Sequence, residues 1–183
     1  MNFNCFFQPF PVIEIDEISL REISIDDFRE YYAYMNNIEM KKVLSVEHIP
    51  STLDSAQEEL RYWRSLFREK RSIYWGIVNE QDELIGTAGF NNISFKNLKA
   101  EISYDLSAQY WGRGYMLKAI KSIIDFAQHQ LGLVRIQATV TIENDRSIKL
   151  LERCGFLKEG LLEKYEIVDG KHKDYFIYSK ILT

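Results

Sequence analysis

Two glycines, Gly112 and Gly114, stand in the run Gln109, Tyr110, Trp111, Gly112, Arg113, Gly114, Tyr115, where a strand pattern gives way to the strongest helix pattern of the chain. The first turn of a helix exposes unpaired N–H groups and a partial positive charge. Glycines at that point let the backbone approach a phosphate closely. A pyrophosphate can therefore lie on the amides around Gly112, Gly114 and Tyr115. Read from the residues alone, the same two glycines equally suit a plain tight turn. The run is not a P-loop, which needs Gly-Lys-Ser/Thr after a longer spacing, nor the dinucleotide fingerprint, since it has one glycine pair only.

A second group follows at Asn144, Asp145, Arg146 and Ser147. Asn144 suits a helix N-cap. Ser147, at the third helical position, is either a hydroxyl available for chemistry or one bonded to its own backbone. Lys149 and Arg153 lie four apart on one helix face, where they meet solvent or a phosphate. Cys5 and Cys154 are too far apart in sequence to suggest a disulfide framework or zinc site. The histidines His48, His129 and His172 form no ligand-spaced cluster, so no metal is expected.

The elements that must position these groups follow from periodicity. Residues 18–23 alternate as a half-buried strand, with 12–15 as a short strand or extension before it. Helices are expected over about 24–36 and 52–71, each with Ser, Thr or Asp available as a cap. Strands follow at 72–78 and 83–90, and a third at 100–106 sets Ile102, Tyr104 and Leu106 on one face. Residues 113–131 form an amphipathic helix ended by Gly132. A β-branched strand at 133–141, a short helix at 144–154 and two strands at 156–168 and 172–181 complete the chain. Asp169 and Gly170 supply the hairpin turn between the last two strands. The order is that of a mixed α/β sheet with helices on its faces.

The 183 residues suit one domain with a hydrophobic core. The net charge of −4 argues against a general nucleic-acid binder. No apolar run approaches the length of a membrane span, and no basic segment precedes the apolar residues 5–7. The chain reads as cytoplasmic.

Taken together, the segments YWGRGY at 110–115, GLVRI at 132–136, ENDRS at 143–147 and LERCGFLKEG at 151–160 resemble the GNAT N-acetyltransferases. They are most similar to the branch that acetylates the N-termini of ribosomal proteins. Residues 20–23 (LREI) resemble that branch's first strand. Asp169, Gly170 and Asp174 resemble its C-terminal hairpin. Residues 37–70 carry the least of the likeness, and Lys118 stands where the branch commonly has Glu.

The resemblance implies an α/β (α+β) fold with a mixed, largely antiparallel sheet. Six to seven strands splay near its centre, flanked by about four helices, with 1–16 as an extension or extra strand. It implies acetyl-CoA as donor, no metal, and an acceptor amine. The pantetheine arm would pair with backbone near Tyr104 to Leu106, and the pyrophosphate would meet Gln109, Trp111, Gly112, Arg113, Gly114 and Tyr115. Asn144 and Arg153 would also touch the cofactor. Acyl transfer to an amine needs a neutral nucleophile, which a base can help to provide, and a proton or hydrogen bond for the leaving thiolate. Glu101 is the candidate base and Ser147 the candidate acid, with Tyr165 the weaker alternative for the second role. A backbone N–H near residues 104–106 would serve the oxyanion. Cys154 precedes a helix-ending glycine and suits packing better than acetyl transfer, which favours direct attack in a ternary complex.

Three functions stay open on these residues: acetylation of a protein N-terminus, acetylation of a small amine such as a polyamine, amino acid or antibiotic, and non-catalytic acyl-CoA sensing. Acceptor choice would lie in residues 31–50, the helix after them and the hairpin at 163–174. The chain would act as a monomer or homodimer.

Overall fold

In the computed structural model, which describes residues 9–182, eight strands join in one sheet in the order β1-β2-β3-β4-β5-β6-β8-β7. The strands are β1 (Ile13–Ile15), β2 (Ile18–Glu22), β3 (Ile73–Asn79), β4 (Leu84–Ser94), β5 (Lys99–Leu106), β6 (Arg135–Thr141), β7 (Leu157–Val168) and β8 (Lys171–Ile181). The helices are α1 (Phe28–Met35), α2 (Leu53–Arg68), α3 (Tyr115–His129) and α4 (Asp145–Arg153). The expected four helices are all present. The sheet has one strand more than six to seven, because residues 13–15 form a hairpin with β2 in which Asp16 takes a left-handed φ of 44°.

Every neighbouring pair is antiparallel except β5 and β6. Parallel neighbours need a long crossover, and α3 supplies it. The β5–β6 ladder spans only Lys99–Arg135, Ala100–Ile136 and Glu101–Gln137. Beyond Glu101, β5 keeps its bonds to β4, and β6 keeps its bonds to β8. The two strands diverge, and the sheet opens between them.

Strand alternation sends side chains to opposite faces, and each face carries its own apolar cluster. Ile73, Trp75, Ile77, Phe90 and Ile102 pack with α3 through Met116, Ile120 and Ile123. Ala119, Ile120, Ile123 and Ala127 of α3 have no exposed surface, the i, i+3, i+4 stripe of an amphipathic helix. The other face buries Tyr31, Tyr34, Met35, Ala56 and Leu60 of α1 and α2 against Ile23, Val78 and Leu84. Ser24 and Thr52 form capping boxes before the α1 and α2 segments, as their sequence suggested. The Tyr-rich helix face is core: Tyr31 is 1% exposed and Tyr34 donates to Asp105 Oδ1 at 2.6 Å.

Gly89 explains how Tyr74 crosses the sheet. A Cβ at Gly89 would lie 2.2 Å from the Ile73 carbonyl oxygen and 2.9 Å from the Tyr74 ring. Only a bare backbone leaves room for that ring to pass over β4 toward β5. Trp63 of α2 stacks on the ring's outer side, with centroids 5.1 Å apart.

Candidate active site

A cleft of about 840 Å³ opens where β5 and β6 part. Glu101, Ser103 and Tyr104 of β5 line it, with Thr139 of β6 and Asn144 and Ser147 at the start of α4. The β5 alternation places Glu101 and Ser103 toward the α1–α2 face, and Tyr104 toward α3 and α4. The cleft therefore joins both faces of the sheet.

On the α4 side, the Tyr104 and Ser147 hydroxyls are 2.8 Å apart. Burial pushes the Tyr104 phenol well above its usual range, against the opposing pull of the Ser147 hydrogen bond. At neutral pH both groups keep their protons. Asn144 accepts the Ser147 backbone N–H at 3.0 Å, the N-cap bond expected of it. That cap fixes the turn from which the serine hydroxyl projects.

On the other face, Thr139 donates to Glu101 Oε1 at 3.1 Å across the opening strands. Beside Glu101, the Tyr74 hydroxyl donates to Asn91 Oδ1 at 2.6 Å and contacts Ser103 Oγ, while Asn91 Nδ2 donates to Ser103 Oγ at 3.3 Å. Burial, countered by the Ser103 bond, raises the Tyr74 phenol to about 12. Further along β5, Asp105 accepts from Tyr34 and from Thr87, each at 2.6 Å. Desolvation raises its carboxyl despite both bonds.

The glycine turn lies just past the end of β5. Gly112 and Gly114 adopt φ of 78° and 82°, and a Cβ at either would meet no atom within 4 Å. The glycines thus serve conformation, and the space beside them is open. Gly114 is the N-cap of α3 and offers no side chain, leaving the first-turn amides free of a side-chain cap. Trp111 fixes the turn by donating Nε1–H to the Leu106 carbonyl at 2.7 Å. Arg146 lies over the Trp111 ring at 3.6 Å, and Arg113 over Tyr110 at 5.1 Å. An exposed edge on β5, open space at a helix N-terminus and nearby guanidinium groups fit an extended thioester with a pyrophosphate.

The structure thus gathers Glu101, Tyr104, Asn144 and Ser147 in one cleft. It places Leu106 and Trp111 through Tyr115 at the neighbouring turn, with Gln109 exposed beside them. Arg153 is exposed at the far end of α4 and does not line the cleft. Arg146, from the same ENDRS segment, is the arginine stacked at the glycine turn. Asn91, Ser103 and Tyr74 escaped the sequence reading. The alternation of β5 placed Ser103 with Glu101, but nothing in the sequence brings Tyr74 across a glycine to meet it. Lys118 turns from the glycine turn to Asp16 and Glu17, at 2.7 and 3.5 Å.

Tyr165 stands on the cleft's outer wall with Glu166, whose carboxylate accepts from the Tyr175 hydroxyl and lies 3.9 Å from His48. Residues 41–45 form the facing wall. Cys154 is buried, and desolvation raises its thiol. Cys5 lies outside the described residues. Among the described residues no group of side chains could hold a metal ion, and no helix is long and apolar enough to cross a membrane.

Comparison with known proteins agrees with this geometry. The GNAT acetyltransferase domain matches residues 17–157. The uncharacterized N-acetyltransferase YoaA of Bacillus subtilis (strain 168) is 34% identical over 171 residues, 93% of this chain and 96% of that protein. The crystal structure of a ribosomal-protein-S5-alanine acetyltransferase from Vibrio fischeri aligns with a TM-score of 0.83 at 26% identity, covering 93% of this chain and 96% of the other. The microcin C7 self-immunity acetyltransferase MccE, solved with acetyl-CoA and AMP, aligns with a TM-score of 0.84 at 26% identity, covering 92% and 94%. With its splayed sheet, its glycine turn and a matching domain over most of its length, the chain belongs to the GNAT acetyltransferase family and is an acetyl-CoA-dependent N-acetyltransferase.

Proposed function

We propose that the acceptor is the N-terminal α-amine of a protein, acetylated by direct attack in a ternary complex in the cytoplasm. The observation that carries this reading is one cleft in which Glu101 faces one side of the open sheet and the Tyr104–Ser147 pair faces the other. An α-amine, with an ordinary pKa near about 8, has a larger neutral fraction at pH 7 than a Lys side chain near about 10.4. The Vibrio fischeri relative, named for ribosomal-protein-S5 alanine, supports a protein acceptor.

The donor supplies an activated acetyl thioester. Glu101 accepts a proton from the amine as the N–C bond forms and nitrogen becomes positive. As the C–S bond breaks, the Ser147 hydroxyl gives the sulfur a hydrogen bond and then a proton, which Tyr104 and solvent resupply. Backbone N–H groups on the free part of β5 serve the oxyanion. The amides of residues 111–115 hold the pyrophosphate, and Arg146 on Trp111 adds positive charge beside it.

Mass spectrometry after offering acetyl-CoA with lysine-free peptides, and separately with polyamines and amino acids, tests the acceptor. Peptides should gain one acetyl group at the α-amine. Acetylation confined to polyamines or other small amines would replace this acceptor by the small-amine alternative. Acetyl-CoA binding without turnover of any amine would favour a sensor.

A further inference from the structure

We propose that Ser103 Oγ orients the acceptor amine beside Glu101 and makes the enzyme selective for primary over secondary amines. This rests on the reading of Glu101 as the base.

Tyr74, Asn91 and Ser103 form a closed ring of hydrogen bonds. Tyr74 has one hydroxyl hydrogen, and it goes to Asn91 Oδ1 at 2.6 Å. The contact between the Tyr74 and Ser103 oxygens therefore uses the Ser103 hydrogen. Asn91 Nδ2 closes the ring on Ser103 Oγ. Turning the Asn91 amide over reverses the direction of every bond but again consumes the Ser103 hydrogen within the ring. In either direction Ser103 has no hydrogen left for the cleft, which it lines, and retains acceptor capacity. A serine normally offers both donor and acceptor; this one is an acceptor only.

Its neighbour on that strand face is also an acceptor. Glu101 lies two residues away, about 6.6 Å along the strand, and its carboxylate faces the same cleft. A neutral primary amine carries two N–H bonds and one lone pair. One N–H directed to Glu101 and the other to Ser103 Oγ turns the lone pair away from both, toward the opening between β5 and β6. When nitrogen attacks, the N–H on Glu101 is the proton transferred, while the N–H on Ser103 stays on the product amide. A secondary amine has a single N–H. Given to Glu101, it leaves Ser103 without a donor and the nitrogen free to turn.

The test compares peptides beginning with alanine and with N-methylalanine, using the wild type, Ser103→Ala and Ser103→Thr. Acetyl-CoA affinity by calorimetric titration and circular dichroism serve as controls for binding and folding. Ser103→Ala should lower kcat/KM for the alanyl peptide about tenfold, the effect of one hydrogen bond worth about 1.4 kcal/mol. It should leave the N-methyl peptide nearly unchanged, so that the preference for the primary amine shrinks by the same factor. Ser103→Thr keeps the hydroxyl and should hold the preference within about threefold. An unchanged preference in a folded, acetyl-CoA-binding Ser103→Ala protein would overturn the assignment, as would equal loss in the Ala and Thr variants. A wild type that acetylates neither peptide nor any other amine would instead refute the reading on which it rests.

Discussion

The hydroxyls of Tyr104 and Ser147 meet at 2.8 Å between the free part of β5 and the first turn of α4. One residue comes from a strand that has lost its neighbour, the other from a capped helix. Their contact spans the opening that separates two parts of the sheet, and burial keeps the tyrosine protonated through the neutral range. The two hydroxyls form a couple held in place from two sides.

Ser147→Ala is expected to lower kcat by about a hundredfold, the lower end of general acid–base contributions. The Asn144 cap bonds the Ser147 backbone and survives the change, so acetyl-CoA affinity and melting temperature should hold. Tyr104→Phe should have the smaller effect, since solvent still resupplies the serine. Steady-state kinetics beside calorimetry distinguishes these outcomes; an unaltered kcat in Ser147→Ala would remove the acid role.

The glycine turn gives a second prediction. Gly112 and Gly114 have left-handed backbones and open space beside them. Alanine at either position should cost about 1–2 kcal/mol from backbone strain alone. The Gly112→Glu, Gly114→Glu double variant also puts two carboxylates where a pyrophosphate is expected. Calorimetric titration should show its acetyl-CoA binding lost while circular dichroism remains native. Wild-type affinity in that variant would detach the turn from phosphate binding.

Desolvation raises the Asp105 carboxyl, so the native state holds its proton to a higher pH than the unfolded chain, where Asp titrates near about 3.9. Within that window the native state binds more protons. Its contribution to stability therefore falls as pH rises from the unfolded pKa through the native one, then levels. Asp105→Asn should remove this fall. Denaturant unfolding of both proteins across pH 4–8 measures the difference, and parallel curves would contradict it.

Cys154 supplies the fourth. Its thiol is buried and raised, the opposite of a nucleophile's environment. Cys154→Ala should retain most of the turnover, and no acetyl-enzyme should accumulate when acetyl-CoA is mixed with enzyme alone. Loss of acetylation by a folded Cys154→Ala protein, or an acetyl group mapped to Cys154, would argue for a covalent route.

Local pattern carried much of this fold. The period of two in β5 already put Glu101 and Tyr104 on opposite faces, and Asn144 read as the cap it is. The paired glycines before α3 marked a turn whose positive φ values the structure displays. What the sequence withheld depends on register. Tyr74 meets Ser103 because β3, β4 and β5 align residues 74, 89 and 103, and because the middle one lacks a side chain. Arg153 shares a helix with Ser147, but six residues of helix carry it about 9 Å along the axis. Arg146 instead projects from the first turn of α4 onto Trp111, a meeting of a helix and a distant turn that no local period encodes. Residues 41–45 and His48 form a cleft wall without a repeating pattern, for which the sequence offered only a general location.

Only three residue pairs join β5 to β6. That short ladder is a mechanical seam: five strands lie on one side and three on the other, and few backbone bonds resist their separation. A substrate spanning the gap acts as a staple as well as a reactant, because its affinity for the native state adds directly to the free energy of unfolding. The donor's concentration then sets two quantities at once, how fast the enzyme works and how stable its fold is.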